Sequence, residues 1–147
     1  MFVQEGVADK VIEKLKHRMN SLIVGDPLDK NTDIGAINSK EQLDIIDGYL
    51  KLGKAEGAEM YQSPCDMPKS GYYCAPTLFT NLAQSSKLVQ EEIFGPVLAI
   101  QTFRTVDEVI QKANNTPYGL AAGVWTDKGS RIFNLTTKLR AGVVWAN

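Results

Sequence analysis

The spacing of apolar residues along the chain predicts four helices. In the first of them the apolar side chains recur every three or four positions, which is the period of one helix face, and they are Val11, Ile12, Leu15, Met19 and Leu22. The other three segments show the same period. We therefore expect helices over residues 8–22, 39–53, 105–115 and 129–139.

Two of these helices begin with a recognisable capping pattern. Ser39 is followed three residues later by Gln42, and Thr105 by Glu108. This is the spacing of a capping box, in which the first side chain and the fourth each satisfy a backbone N–H of the first turn. We expect Ser39 and Thr105 to start these two helices.

Apolar runs between the helices are typical of strands. Three runs are nearly continuous, as in strands of a parallel sheet covered on both faces: Val97–Phe103, Leu120–Trp125 and Gly142–Ala146. A weaker strand pattern spans Ala58–Gln62. The segment Tyr72–Phe79 favours β structure, but proline at 76 donates no backbone hydrogen bond and predicts an edge strand or an irregular segment.

The alternation of helical and strand patterns predicts an α/β fold in which a mostly parallel sheet is flanked by helices. The 147 residues are the size of one domain. The chain stops on an apolar strand without polar residues after it, which is unusual for a terminus and hints at truncation.

Composition and charge narrow the classes of partner. The net charge is −1 and 44% of the residues are apolar, as in an ordinary globular protein. This balance offers no electrostatic basis for binding nucleic acid or an anionic membrane. No apolar run approaches the ~20 residues of a membrane span, and the N-terminus lacks a signal-peptide pattern. We expect no nucleic-acid or membrane partner and a cytoplasmic location.

The residue types that most often carry chemistry are sparse. Cys65 and Cys74 lack metal-site spacing, and we expect both to be free, reduced thiols without a nucleophilic role, the first beside the charge of Asp66 and the second within an apolar run. The single histidine, His17, lies among basic residues on a predicted helix surface. The aspartates at 26, 29 and 33 lack the closing glutamate of a calcium loop, so we expect a solvated loop and no metal.

The stretch QEEIFGPVL, residues 90–98, places Glu92 and Phe94 two positions apart, just before a predicted strand. In extended chain such a pair points to one side, so an acceptor and a flat apolar ring could face one ligand. From these residues alone, a surface carboxylate and a core phenylalanine are the simpler reading.

Five stretches together resemble aldehyde dehydrogenases. They are FVQEGVADKVIEKLKHRM, YYCAPTLF, EEIFGPV, TPYGLAAGVWT and AGVVWAN, and they are distributed from residue 2 to residue 147, so that the resemblance extends over essentially the whole chain. The resemblance implies a piece of the catalytic α/β domain of an enzyme that also has a dinucleotide-binding domain and an oligomerisation arm. It implies an activity that oxidises an aldehyde to a carboxylic acid with NAD or NADP.

The same resemblance implies roles for individual residues. The glutamate matching Glu92 accepts hydrogen bonds from the nicotinamide ribose, and the phenylalanine matching Phe94 packs near the nicotinamide. The nucleophilic cysteine, the general-base glutamate and the oxyanion-binding asparagine would all lie upstream of Met1, so none of the catalytic residues is expected in this chain.

Two functional hypotheses remain at this point. The first is a fragment of an aldehyde dehydrogenase whose parent is a homo-oligomer acting on a small-molecule aldehyde and a dinucleotide. We expect the fragment itself to be inactive, to bind no cofactor and to self-associate through exposed apolar surface. The second is a non-catalytic binding or scaffolding module with the same fold. The reading frame upstream of Met1 distinguishes them, because a catalytic cysteine there would support the first.

Overall fold

The computed structural model describes all residues, 1–147, and divides the chain into two compact units. Unit 1 comprises Met1 and residues 7–101, and unit 2 comprises residues 2–6 and 102–147. The size of the chain gave no sign of this division. In chain order the elements are β1 (Phe2–Gln4), a 3-10 turn (Glu5–Val7), α1 (Ala8–Met19), α2 (Lys40–Ala55), β2 (Glu59–Gln62), β3 (Thr77–Thr80), α3 (Lys87–Gln90), β4 (Val97–Ala99), β5 (Gln101–Phe103), α4 (Val106–Asn114), β6 (Ala121–Val124), α5 (Gly129–Lys138) and β7 (Val143–Ala146).

Unit 1 is built around a three-stranded sheet in the order β2–β3–β4. β3 pairs antiparallel with β2 and parallel with β4, with Thr77 opposite Val97. The expectation that Pro76 confines the segment Tyr72–Phe79 to an edge strand or an irregular stretch is confirmed for residues 72–76, which are irregular, but is wrong for the residues that follow. The strand begins at Thr77, directly after the proline, so the missing N–H falls outside the ladder and β3 is the central strand.

The core of unit 1 forms where α2 and α3 meet this sheet. Phe79 of β3 is fully buried. Gly53 of α2 provides the space for its ring, since a methyl group built on that glycine would lie 2.6 Å from Phe79 Cε1. The buried members of the cluster are Ile46, Cys74, Phe79, Leu88 and Ile93.

Unit 2 contains a parallel pair, β6–β7, together with α4 and α5. Asn114 links the ends of the two helices, because its Nδ2 donates to the Lys138 carbonyl and its Oδ1 accepts from the Arg140 N–H, each at 2.8 Å. β1 and β5 form a second two-stranded sheet. Both units therefore combine parallel pairing with flanking helices, which confirms the α/β prediction.

The expectation of one sheet containing all three apolar runs is wrong. The run Val97–Phe103 is interrupted at Ile100, where β4 ends in the sheet of unit 1 and β5 continues in a different sheet. The runs near 120–125 and 142–146 become β6 and β7, which pair only with each other. Apolar continuity predicts the strands correctly but does not specify their neighbours.

The helix starts agree with the capping patterns, but the capping boxes are only half formed. Ser39 Oγ accepts from the Gln42 N–H and Thr105 Oγ1 from the Glu108 N–H, each at 3.2 Å. The reciprocal bonds are absent. Glu108 Oε2 instead accepts from the Arg104 N–H at 2.8 Å, and the side chain of Gln42 bonds to a distant loop.

Several apolar residues of the predicted strands and helix that lie in unit 2 are exposed. Leu120, the first residue of the predicted strand 120–125, is 89% exposed, and Phe133 of α5 is 73% exposed. Trp145 of β7 is 68% exposed. The predicted strands and helix exist, but one side of each lacks cover within the chain.

No helix in the structure combines the length and apolar character that crossing a membrane requires. No group of three or more His, Cys, Asp or Glu side chains is arranged to hold a metal ion. The aspartates at 26, 29 and 33 accept hydrogen bonds from backbone N–H groups of their own loop.

Candidate functional site

The loop between α3 and β4, residues 91–96, carries the candidate site in unit 1. At its start the Glu91 N–H donates to the Lys87 carbonyl at 2.9 Å, which closes the short helix. At its end the Pro96 carbonyl accepts from the Thr77 N–H, also at 2.9 Å. The backbone of the loop is thus tied at one end to α3 and at the other to β3.

Glu92 and Phe94 lie on either side of Ile93, which is buried in the core cluster. Both flanking side chains are exposed, and the ring of Phe94 is 72% exposed. A phenylalanine that contributes so little to the core is unusual, because burial is the main stabilising role of this side chain. The reading of Phe94 as a core residue is wrong.

The backbone at Phe94 is also unusual. Its φ angle is +54°, in the left-handed region that bulky side chains rarely adopt. The sequence-based expectation of an extended chain through Glu92 and Phe94 is therefore wrong at the second residue. A backbone of this kind costs about 1–3 kcal/mol and persists where the surrounding structure holds it, often at a binding site.

The two adjacent glutamates differ in what they contact. Glu91 Oε2 accepts a hydrogen bond of 2.6 Å from the Tyr49 hydroxyl. The Glu92 carboxylate makes no hydrogen bond or ion pair within the chain. A free carboxylate can accept two hydroxyl groups at once, and the neighbouring ring of Phe94 offers a flat apolar surface. This pair can bind a ligand that has adjacent hydroxyls beside a planar ring.

Two further residues of the site were missed by sequence reasoning. Gln42 Nε2 donates to the Ile93 carbonyl at 2.9 Å and to the Phe94 carbonyl at 3.3 Å, and Tyr49 holds Glu91. The capping-box pattern predicted that the Gln42 side chain would bond to the first turn of its own helix, whereas it bonds to this loop. The common stripe of Gln42 and Tyr49 on one helix was the only sequence signal available.

Both cysteines are free thiols, as expected. Cys74 is buried, and its Sγ donates to the Ala75 carbonyl at 3.5 Å. Burial raises the pKa of the Cys74 thiol to about 11, with a smaller contribution from Asp47. A thiol with such a pKa is almost entirely protonated near neutrality and is a poor nucleophile. Cys65 is a half-buried free thiol in the loop after β2.

His17 is exposed on α1. Neither it nor the two cysteines forms a nucleophile–base pair with a neighbouring side chain, which is the arrangement that covalent catalysis requires. Neither the histidine nor either cysteine lies on the loop of residues 91–96 that carries Glu92.

Comparison with known proteins matches the sequence and the fold to one family. The family model described as "Aldehyde dehydrogenase family" matches residues 1–147. An aldehyde dehydrogenase-like protein of Schizosaccharomyces pombe is 44% identical over 149 residues, covering 100% of this chain and 30% of its own length. Aldehyde dehydrogenase family 2 member C4 of Arabidopsis thaliana is 40% identical over 147 residues, covering 100% of this chain and 29% of its own length.

Solved structures agree with these relatives. The crystal structure of an indole-3-acetaldehyde dehydrogenase in complex with NAD⁺ superposes with a TM-score of 0.93 at 36% identity, covering 99% of this chain and 30% of that one. The chain thus spans about a third of the length of the relatives it matches. With a family model matched over all 147 residues and this agreement in fold, the chain belongs to the aldehyde dehydrogenase family.

Proposed function

We propose that this chain is the part of an NAD-dependent aldehyde dehydrogenase that holds the nicotinamide-ribose end of the cofactor. Glu92 accepts the two ribose hydroxyls, and the ring of Phe94 packs beside the nicotinamide. The observation that supports this most strongly is the exposure of both side chains around the buried Ile93, on a loop anchored at both ends. An NAD complex among the solved relatives is consistent with the choice of dinucleotide.

In the longer parent enzyme, a cysteine outside this chain attacks the aldehyde carbonyl carbon and forms a covalent adduct. A nicotinamide held by this loop would supply the acceptor for the hydride that leaves this carbon, and the resulting thioester would then be hydrolysed by water to the carboxylic acid. The residues of this chain contribute by orienting the ribose, so that the ring stays within reach of the reacting carbon.

The isolated chain has no dehydrogenase activity under this proposal. Cys74 is buried with its pKa raised to about 11, and His17 is exposed without a catalytic partner. Loss of a nucleophile alone typically costs several orders of magnitude in rate. Glu92 and Phe94 also contact only one end of a dinucleotide, so we expect affinity for NAD too weak to measure by calorimetry.

The test has two arms. In the first, the purified chain is assayed for NADH absorbance with a panel of short aldehydes and titrated with NAD by calorimetry. Turnover above a Cys65→Ala/Cys74→Ala control would contradict the proposal.

In the second arm, residues 1–147 replace the matching 29% of the Arabidopsis family 2 member C4 enzyme. We expect an active chimera. Glu92→Gln should lower its kcat/KM for NAD by about tenfold or more, because a neutral amide accepts the ribose hydroxyls less strongly than a carboxylate. Glu13→Gln, an exposed residue on α1, is the matched control. An active chimera that Glu92→Gln leaves unchanged would refute the role of Glu92.

A further inference from the structure

One stripe of α2 contacts the loop of the candidate site at three places. Gln42, Ile46 and Tyr49 are spaced i, i+4 and i+7, so they project from one face of the helix. Gln42 reaches the carbonyls of Ile93 and Phe94, and Tyr49 reaches the Glu91 carboxylate. Ile46 lies against Gly95, the residue after Phe94, so this one face of α2 contacts the loop along its length.

Ile46 acts through shape. It is fully buried, and a methyl group built on Gly95 would lie 2.6 Å from its Cδ1 atom. Any larger residue at position 95 would therefore force the Ile46 side chain to shift within the core. The contact sets how closely the residue after Phe94 approaches α2.

Gln42 acts on the backbone of Phe94 itself. The Ile93 carbonyl belongs to the peptide unit before the Phe94 α-carbon, and the Phe94 carbonyl belongs to the unit after it. One side-chain amide therefore holds both peptide planes, and these planes define φ and ψ of Phe94. The same residue has the left-handed φ of +54°, which needs support from its surroundings.

The side chain of Gln42 is not used at the start of α2, because the cap there is formed by the backbone N–H of the same residue. Its N–H bonds to Ser39 Oγ at 3.2 Å, which leaves the side-chain amide free to cross to the loop. The two carbonyls that it reaches are 51 and 52 residues away in sequence. The bonds thus serve the loop and are not needed to begin the helix.

We propose that Gln42 is a positioning residue for the cofactor loop: its amide fixes the backbone of Phe94, while Ile46 and Tyr49 fix the flanking residues. This inference rests on the proposed function, since it assigns a purpose to the geometry of the same site. Gln42 acts through Phe94 and Glu92, and it takes no part in the chemistry.

The first test measures backbone motion in the 147-residue chain by ¹⁵N relaxation. Gln42→Met keeps the length of the side chain but removes both donors. We expect the order parameters at the amides of residues 93–95 to fall from the rigid value of about 0.85 to below about 0.6. Gln111→Met, at an exposed position of α4, is the control and should leave them unchanged.

Rescue distinguishes a lost hydrogen bond from general damage. Gln42→Lys restores a donor of similar reach, so the order parameters should return at least halfway to the original value. Equal order parameters in the original chain and Gln42→Met would overturn the proposal. Equal loss in Gln42→Met and Gln42→Lys would overturn it as well.

The second test uses the active chimera. Gln42→Met should raise the KM for NAD about tenfold, and Gln42→Lys should recover most of that change. Partial unfolding lowers the concentration of active enzyme and hence the maximal rate, but it leaves KM unchanged. A KM for NAD equal to that of the Gln111→Met control would refute the functional part of the inference. If the chimera is inactive, the proposed function fails, while the relaxation measurement still decides whether Gln42 holds the loop.

Discussion

The sheet of unit 1 and the β6–β7 pair of unit 2 come from similar apolar sequences but differ in how completely they are covered. In unit 1, residues 77–79 of β3 are all buried, and Phe79 has no exposed surface. In unit 2, the register places Gly123 opposite Trp145, and both are exposed. One sheet lies within a closed core, and the other presents an apolar face to solvent.

The difference shows what an apolar run can predict. Such a run indicates a strand that gains from burial, but it does not indicate whether the same chain supplies the covering element. In unit 1 the helices α2 and α3 close the core. In unit 2, α5 packs against β6 and β7, yet Val143 and Trp145 stay exposed. Substitutions should therefore have much larger effects in the first sheet than in the second.

Truncation of one phenylalanine in each unit should give the largest contrast. Phe79→Ala leaves a cavity in the core of unit 1 and should lower the free energy of unfolding by about 3–5 kcal/mol. Phe133→Ala removes a ring that is 73% exposed and should change it by less than about 0.5 kcal/mol. Urea denaturation followed by circular dichroism measures both. Similar losses for the two variants would break the comparison.

Addition of a methyl group should give the second contrast. Gly53→Ala places Cβ 2.6 Å from Phe79 and 2.9 Å from Leu88, so we expect a loss of about 1–3 kcal/mol through overpacking. Gly123→Ala on β6 meets no atom within 4 Å. There the alanine should stabilise the strand by about 0.5 kcal/mol, because glycine loses more conformational freedom on folding. Opposite signs in the same denaturation assay are the expected result, and a destabilising Gly123→Ala would contradict it.

The fold elements were predictable to the extent that they depend on local sequence. Ser39 and Thr105 mark helix starts because their hydroxyls act on N–H groups three residues away. The interruption at Ile100 was not predictable, since nothing in an apolar run records that its two halves pair with different strands. Pro76 misled the assignment of β3 because its effect depends on whether it lies inside the ladder or just before it.

The candidate site likewise contains residues that the sequence predicts and residues that only the structure identifies. Glu92 and Phe94 could be proposed from a short motif that resembles a known family. The roles of Gln42 and Tyr49 depend on contacts across more than 40 residues of sequence, which only the folded chain brings together. The left-handed backbone of Phe94 was equally invisible, because this conformation is imposed by its surroundings and is contrary to the preference of the residue itself.

The closed core of unit 1 also predicts a dependence of stability on pH. Burial raises the pKa of the Cys74 thiol from 9.0 to about 11, so the folded state retains this proton at a pH where the unfolded state has lost it. The stabilising contribution is complete below about pH 9 and is lost as the pH rises towards 11. Between pH 8 and pH 10.5 we expect a loss on the order of 1 kcal/mol from this group.

The contribution of Cys74 is isolated by comparing variants, because tyrosines and lysines titrate in the same pH range. The free energy of unfolding is measured at both pH values for the original chain, for Cys74→Ala and for Cys65→Ala. The pH-dependent loss should be smaller in Cys74→Ala than in the other two proteins. An identical loss in all three would show that Cys74 is less well shielded than the closed core requires.

The smallest effect on unfolding is expected at the exposed face of unit 2. Trp125 and Trp145 are 82% and 68% exposed, so the double substitution Trp125→Ser/Trp145→Ser removes little packing and should change the free energy of unfolding by about 0.5 kcal/mol at most. The same substitution should change association strongly, because an exposed apolar patch favours contact between copies of the chain. Sedimentation velocity over a range of concentrations should show self-association of the original chain and a monomer for the double variant. Gln111→Ser, on an exposed polar position of α4, controls for surface substitution in general and should associate like the original chain. If the double variant associates as strongly as the control, the apolar face of β6–β7 is not the contact surface.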